Sequence, residues 1–373
     1  MSRIRVLYIE PFEAGSHATF TRRLCETVDA EWTTLTLPGR YWKWRARGSA
    51  VYFALANRDI LEGDYDLLWA GSFLNLADLL ALCPKLQEIP RVLYFHENQL
   101  AYPVRPEFVR EGDNHFGISQ MVSSLAATHC VFNSVWNRDS FLEEAARLLG
   151  QMPDRKPPEW IEQIRARSTV LGVPLDLPAL ESVKPLFPRG AVDEGPIILW
   201  NHRWEHDKAP EVFFETLMRL KSEGVSYRLI VCGERYRRAP PVFETARHAL
   251  SDRILHWGFL DSRSDYEGAL MSADIAVSVA RHEFFGISML EAAHFGARPV
   301  VPDRLSYREL FPREHRYSSD EDLVTVLRGL CTSWSDGLAL RGDYSAVVDP
   351  FGDRLIQRYQ SFIEEARQVS PRS

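Results

Sequence analysis

The sequence predicts an α/β protein made of two Rossmann-like, doubly wound domains with an interdomain cleft. Three observations carry that expectation. Short apolar runs alternate with amphipathic helical segments, the pattern of a parallel sheet with crossover helices. The pattern pauses once and then restarts. The 373 residues exceed one ordinary core and suit two domains of fewer than about 200 residues each.

In the first half the predicted strands are Ile4–Ile9, Trp32–Leu37, Tyr65–Ala70, Arg91–His96, His129–Phe132 and Thr169–Leu171, with helices over Ala18–Val28, Phe116–Thr128 and Val135–Leu149. Residues 153–168, opening on Pro153-Asp154-Arg155-Lys156-Pro157-Pro158, read as a solvated insertion. Two stretches rich in Pro and Gly, Gly172–Pro178 and Lys184–Gly195, mark the pause. Strands are predicted again at Ile197–Asn201, Tyr227–Cys232, Ile254–Trp257, Ile275–Val279 and Arg298–Val301, and helices at Pro210–Ser222, Pro241–Leu250, Asp265–Ala273 and Ile287–Phe295. The expected division is a first domain over 1–180, a linker over 181–195, a second domain over 196–350, and a helix within 351–373 that packs on one or the other.

Composition narrows the function. Hydrophobic residues make up 45% and charged residues 25%, a globular profile. No run of about 18 apolar residues occurs, so no membrane span is expected. The amino-terminal apolar run is broken by Glu10 and reads as a first strand, not a secretory signal, which makes cytoplasm the expected location. Cys25, Cys83, Cys130, Cys232 and Cys331 are scattered without a CxxC pair, which argues against a zinc site or a disulfide framework. The net charge of −7 excludes a broadly basic surface but leaves room for a local patch. Two candidate patches are Arg40–Arg47 and Arg235–Arg238.

Four stretches carry candidate chemistry. Glu283-Phe284-Phe285-Gly286-Ile287-Ser288-Met289-Leu290-Glu291 follows a strand and opens a helix. Gly286 permits close backbone approach, and the N–H groups of a helix start hold phosphate. Glu283 and Glu291 could address a sugar hydroxyl and a ribose diol, or simply stabilise a helix start. In Trp200–Pro210, Arg203 and Lys208 offer two cations where a diphosphate would rest. The competing reading is a solvated loop with Arg203–Glu205 and Asp207–Lys208 neighbours. Gly15-Ser16-His17 is a glycine turn into a helix, with Ser16 equally suited to a helix cap. His96-Glu97-Asn98-Gln99 puts four polar side chains at a strand end, for hydroxyl binding, base catalysis or structure. Trp42–Arg47 mixes rings with cations as nucleic-acid sites do, or opens a helix whose tryptophans enter the core.

Together these motifs resemble the large retaining GT-B glycosyltransferase group, in which Glu283 and Glu291 match its E-x7-E element, Arg203 and Lys208 its diphosphate clamp, and Gly15 its glycine loop. The chain is more closely similar to the tRNA-queuosine α-mannosyltransferase family. That likeness runs in order through Gly15-Ser16-His17, Leu37-Pro38 with Trp42–Arg47, Tyr94–Pro103, Phe132-Asn133-Ser134, His202–Lys208, Leu255–Gly258 and His282–Gly286. The resemblance implies retaining transfer of mannose from GDP-mannose to the cyclopentenediol of queuosine in tRNA, tRNA-Asp being expected, with no cofactor, metal or membrane. It implies catalytic roles for Glu283, Arg203, Lys208 and His96. Donor binding falls to Gly15, Arg203, Lys208, Gly233, Glu283, Phe285, Gly286, Ile287 and Glu291. Acceptor binding falls to Ser16, His17, Lys43, Trp44, Arg45, Arg47, Glu97, Asn98, Gln99, Tyr102 and Asn133. Alternatives are a GT-B enzyme using another sugar nucleotide and acceptor, a sugar-nucleotide epimerase or hydrolase, and a non-catalytic tRNA- or nucleotide-binding module.

Overall fold

A computed structural model describes residues 3–102, 114–157, 159–235 and 239–370. Its Cα packing divides the chain into two units, Met1–Pro174 with Phe351–Ser373, and Leu175–Pro350. Residues 181–195, expected as a linker, lie within the second unit, where Leu186 N–H donates to Gly268 O and Phe187 N–H to Ser272 Oγ.

The first unit is built on six parallel strands: β1 (Arg5–Glu13), β2 (Glu31–Pro38), β3 (Leu67–Gly71), β4 (Arg91–Phe95), β5 (His129–Phe132) and β6 (Ser168–Val170), in the order β2-β1-β3-β4-β5-β6. β3, β4 and most of β1 are buried on both faces, which is why they read as unbroken apolar runs instead of alternating ones. One face packs on Phe53, Leu79, Met121, Phe141 and Leu148. Over the other, Trp69 and Tyr94 meet the helix Asp353–Ala366, whose Leu355, Tyr359, Ile363 and Ala366 form one buried stripe. The carboxyl-terminal helix therefore belongs to the first unit. Residues 154–157 are exposed as expected of an insertion, but a helix over Trp160–Ala166 buries Ile164 and leads into β6. The solvated insertion expected over 153–168 thus ends in a packed helix, seven residues long and too short for a helical period to show.

The second unit holds β7 (Ile197–Asn201), β8 (Arg228–Cys232), β9 (Ile254–Gly258), β10 (Ile275–Val277), β11 (Arg298–Pro302) and β12 (Arg316–Tyr317), in the order β12-β11-β10-β7-β8-β9 and all parallel. β12 has two residues, below what periodicity reveals. Trp200, Phe213, Phe214, Phe243 and Trp257 build an aromatic core on one side. In each sheet the strand order reverses once, between β1 and β3 and between β7 and β10, and such switch points open a crevice at the carboxyl ends of the strands. The loops after β1, β3, β7 and β10 are therefore the ones to inspect. All five cysteines are thiols.

The Tyr359 hydroxyl lies 2.7 Å from Gly172 O and 3.2 Å from Leu171 O, all buried, and fixes the end of the β6 loop. Tyr359→Phe removes the hydroxyl donor from Gly172 O and leaves Leu171 O with the Tyr94 hydroxyl at 3.4 Å. We expect a loss of about 1–3 kcal/mol in urea unfolding of the first unit; an unchanged midpoint would show that the ring alone seats the helix.

Candidate functional site

In the second unit the loop after β7 and the loop after β10 meet through one buried ammonium. Lys208 Nζ donates to His282 O at 3.0 Å and to Glu283 Oε2 at 3.1 Å, and lies 3.2 Å from Asp207 Oδ2. The residue is only 7% exposed. It sits in a one-turn 3-10 helix, His206–Lys208, closed by Ala209 in the left-handed region before Pro210 opens the next helix. The backbone ties the loops as well, since Arg281 N–H donates to Asp207 O at 2.9 Å. The neighbour pairs of a solvated loop do form, with Arg203 NH1 3.2 Å from Glu205 Oε2, but Lys208 is enclosed instead of solvated. Arg203 stays half exposed.

Charge follows from this packing. Burial raises the Glu283 carboxyl, but Lys208, and then His202, outweigh it and hold the group below its ordinary value. Asp207 is likewise held down by Lys208 and Arg203 against burial. Burial works against the Lys208 ammonium, yet Glu283 and Asp207 leave it above its usual range. His202 and His282 are both pushed down to about 4 by burial and by Lys208.

Glu283 and Glu291 take different surroundings. Glu283 stays on the loop, its Oε1 accepting from Phe285 N–H at 3.3 Å. That backbone donor, expected to face a ligand, thus points at the carboxylate. Ser306 Oγ donates to Phe285 O at 2.7 Å and pins the turn. Gly286 follows at φ +115°, where an added Cβ would meet the Tyr307 ring at 3.0 Å. The helix Ile287–His294 begins there, with Ile287 half-buried. Glu291 lies one turn in, accepting from Arg263 NH1 at 3.0 Å and Tyr266 OH at 2.9 Å. Burial raises its carboxyl, against the pull of Arg263. Asn201 Nδ2 donates to Ser288 O at 2.8 Å, and Ser288 Oγ shares a hydrogen bond with His202 Nδ1 at 3.0 Å. Gly233, at φ +137°, lets the end of β8 pass His202 O, which a Cβ would strike at 2.0 Å. Arg235 lies over the Trp204 ring and beside Glu244, while residues 236–238 of that candidate patch fall outside the described residues.

In the first unit His17 and His96 stack with ring centroids 3.9 Å apart. Gly15 and Ser16 are exposed at the first helix's start. Glu97 Oε1 accepts from Gln99 Nε2 at 2.8 Å, and Tyr102 is half-buried; Pro103 falls outside the described residues. Two expected acceptor residues are turned inward. Asn98 is fully buried and binds Asn137, Ser140 and Ala101 N–H, and Asn133 bonds to His96 O and Asn137. They shape the loop after β4 instead of facing a ligand. The run Trp42–Arg47 opens a helix, Trp42–Ala56, and splits in its roles. Trp42 packs on Phe73 and Phe116, whereas Trp44 is 65% exposed beside exposed Tyr41, Lys43 and Arg47. Arg45 Nε donates to Pro38 O, and Arg47 lies over the Phe116 ring.

Among the described residues one group brings metal-ligand side chains together, Glu10, His17 and His96, with ligand atoms within 4.8 Å of one another. Two imidazoles aiming lone pairs at one ion from about 2 Å hold their rings roughly 5 Å apart at a tetrahedral angle. The 3.9 Å stack does not fit that arrangement. Sequence reasoning missed Arg263 and Tyr266, whose partner Glu291 is distant in the chain, and Glu10, which faces both the nearby His17 and the distant His96. Asn201, His202, Asp207 and Ser288 lie within the Trp200–Pro210 and Glu283–Glu291 stretches but carry no distinguishing spacing.

The tRNA-queuosine alpha-mannosyltransferase N-terminal family matches residues 5–175, and Glycosyl transferases group 1 matches residues 186–318. The tRNA-queuosine alpha-mannosyltransferase of Drosophila melanogaster is 37% identical over 332 residues, covering 87% of this chain and 86% of that protein. A GDP-mannose-dependent alpha-(1-6)-phosphatidylinositol dimannoside mannosyltransferase of Mycobacterium tuberculosis is 30% identical over 125 residues, 34% of this chain and 28% of that protein. Among solved structures, a glycosyltransferase from Rickettsia africae superposes with a TM-score of 0.66 at 14% identity, covering 99% of this chain and 100% of that one. A UDP-forming trehalose-phosphate synthase from Burkholderia xenovorans gives 0.67 at 12% identity, with 99% of each covered. At such identities the likeness is one of fold, and the fold is GT-B.

The depressed histidines give the site a pH signature. Between the ordinary value of 6.5 and about 4, the unfolded chain binds protons at His202 and His282 that the native fold refuses. Stability of the second unit should therefore fall on acidification, by about 2 kcal/mol per histidine between pH 7 and 5. Urea midpoints across that range should flatten in His202→Gln; an identical slope would show the ring to be protonated in the native state.

Proposed function

As this chain belongs to the tRNA-queuosine α-mannosyltransferase family, we propose that it transfers mannose from GDP-mannose to the cyclopentenediol of queuosine in tRNA, with tRNA-Asp the expected acceptor and the cytoplasm the place of action. The observation that supports this reading is the Lys208–Glu283 pair beside Arg203, at the carboxyl edge of a sheet switch point. Among the described residues no helix is long and apolar enough to cross a membrane, which agrees with an acceptor in solution.

In this reading the bond between the mannose anomeric carbon and the diphosphate oxygen breaks. The acceptor oxygen bonds to the same face of that carbon, and its proton passes to the leaving phosphate. The configuration is retained and no carboxylate acts as nucleophile, in contrast to a retaining hydrolase. The diphosphate gains charge in the transition state, so Arg203, Lys208 and the start of the helix Ile287–His294 stabilise it differentially without calling on a metal. Lys208 already directs its ammonium at His282 O, Glu283 and Asp207. Donor binding is then an exchange: mannose hydroxyls draw Glu283 away, and the diphosphate takes the released N–H. Glu291 keeps lone pairs for the ribose diol while Arg263 and Tyr266 hold it still. On the acceptor side, Trp44 and Tyr41 offer stacking faces and Lys43 and Arg47 phosphate contacts.

The test is incubation of GDP-mannose and UDP-sugars with queuosine-containing and queuosine-free tRNA, followed by nucleoside mass analysis. A hexose added to queuosine from GDP-mannose alone is the expected result. Donor breakdown without tRNA would point to a hydrolase, and no turnover with any pair to a binding module. Lys208→Ala and Glu283→Ala should each lower kcat/KM by about 100-fold or more with the circular dichroism spectrum retained. Wild-type rates in both would remove the assignment.

A further inference from the structure

Glu10 is a fully buried carboxylate with no part in the chemistry above, and it lies at the switch point of the first sheet. Its Oε1 accepts from Phe12 N–H at 2.9 Å. Oε2 sits against β3 so closely that a side chain at Gly71 would meet it at 2.4 Å. Two imidazole nitrogens face this carboxylate. His17 Nδ1, from the helix Gly15–Thr27, is 3.5 Å from Oε1, and His96 Nε2, at the end of β4, is 3.8 Å from Oε2. Glu10 Oε2, His17 Nδ1 and His96 Nε2 are all buried, and none has a hydrogen-bond partner at these separations. Tyr8, also on β1, is the further titratable group that feels Glu10, and its own hydroxyl is 3.0 Å from Thr21 Oγ1.

A buried carboxylate oxygen without a donor, as Oε2 is, is costly, and so is a buried ring nitrogen without a partner. If the nitrogens carry protons, shifts of about 0.3 Å at His17 and about 0.6 Å at His96 relieve all three at once. The rings are held for such contact: Phe20 and Tyr94 meet His96 edge-on, at 4.8 and 4.7 Å, and Phe73 stacks on His17 at 5.7 Å. In a neutral imidazole, one proton fixed on the inner nitrogen leaves the outer nitrogen as a hydrogen-bond acceptor.

We propose that Glu10 is a positioning residue for the transfer reaction: it takes the Nδ1 proton of His17 and the Nε2 proton of His96, so that His17 Nε2 and His96 Nδ1 meet substrate hydroxyls as acceptors. This rests on the reading of both histidines as substrate-facing. It also gives Gly71 a reason, since any side chain there would displace the carboxylate.

Ring-nitrogen NMR of histidine-labelled protein, assigned with His17→Asn and His96→Asn, reads the tautomers directly. Wild type should show His17 protonated at Nδ1 and His96 at Nε2, and Glu10→Gln should lose that fixed pattern. With GDP-mannose and queuosine-containing tRNA, Glu10→Gln should lower kcat about 10-fold or more, with the donor KM within about twofold. Wild-type kcat in a folded Glu10→Gln would overturn the proposal. So would a wild-type His17 bare at Nδ1, or a stoichiometric metal ion found by elemental analysis. Should Glu10→Gln fail to fold, the wild-type tautomers decide. They decide equally if mannose transfer itself is not observed, so the two readings fail separately.

Discussion

One buried ammonium organises the second unit's site. Lys208 has no aqueous shell to fall back on, so its three donor positions are distributed between a carbonyl and two carboxylates drawn from the loops after β7 and β10. An ammonium so enclosed stays charged because its partners are anions, and the anions stay charged because it is there. Burial first, and then the same charge, holds His202 and His282 down to about 4. Remove the cation and two largely enclosed carboxylates are left facing each other's field, a heavier penalty than the pair's own net worth. The placement of Glu283 and of the His282 carbonyl is tied to that one group.

The two units present different chemistry at their switch points. The second is ionic, with cations and carboxylates in close pairs. The first is a stack of rings, Phe20, Tyr94, His96, His17 and Phe73, over a single carboxylate. An ionic pocket suits an activated donor whose leaving group builds charge. An aromatic and imidazole edge suits hydroxyls, which need orientation more than neutralisation.

Much of the architecture was legible because the strands are buried on both faces and read as continuous apolar runs. The helix Pro210–Ser222 announced itself with Pro at its first position, and the predicted bounds match those observed. The strand Arg316–Tyr317 and the helix Trp160–Ala166 were too short to carry a period. In the site, Lys208 and Glu283 were nameable from two separate motifs, and the fold brings them to 3.1 Å. Arg263 and Tyr266 were not nameable, since their link to Glu291 spans 28 and 25 residues and no local spacing encodes it. Glu10 was seen merely as the break in an apolar run; its neighbours come from a helix seven residues on and a strand end 86 residues away. Asn98 shows the opposite failure, where a polar cluster at a strand end proved to be loop scaffolding.

The helix Trp42–Ala56 bears Trp44, Tyr52 and Leu55 on its outer surface, well clear of the packed residues Ala50, Phe53 and Ala54. Inward positions are fenced by neighbours on every side, so their identity is dictated by volume. Outward ones are held far less tightly, Tyr52 touching the Phe53 ring only edge-on. Across a set of related chains, drift at 44, 52 and 55 would therefore trace what each enzyme touches, while drift at 50, 53 and 54 would trace only how each one packs. A single helix thus records two histories, and its turns can be read apart.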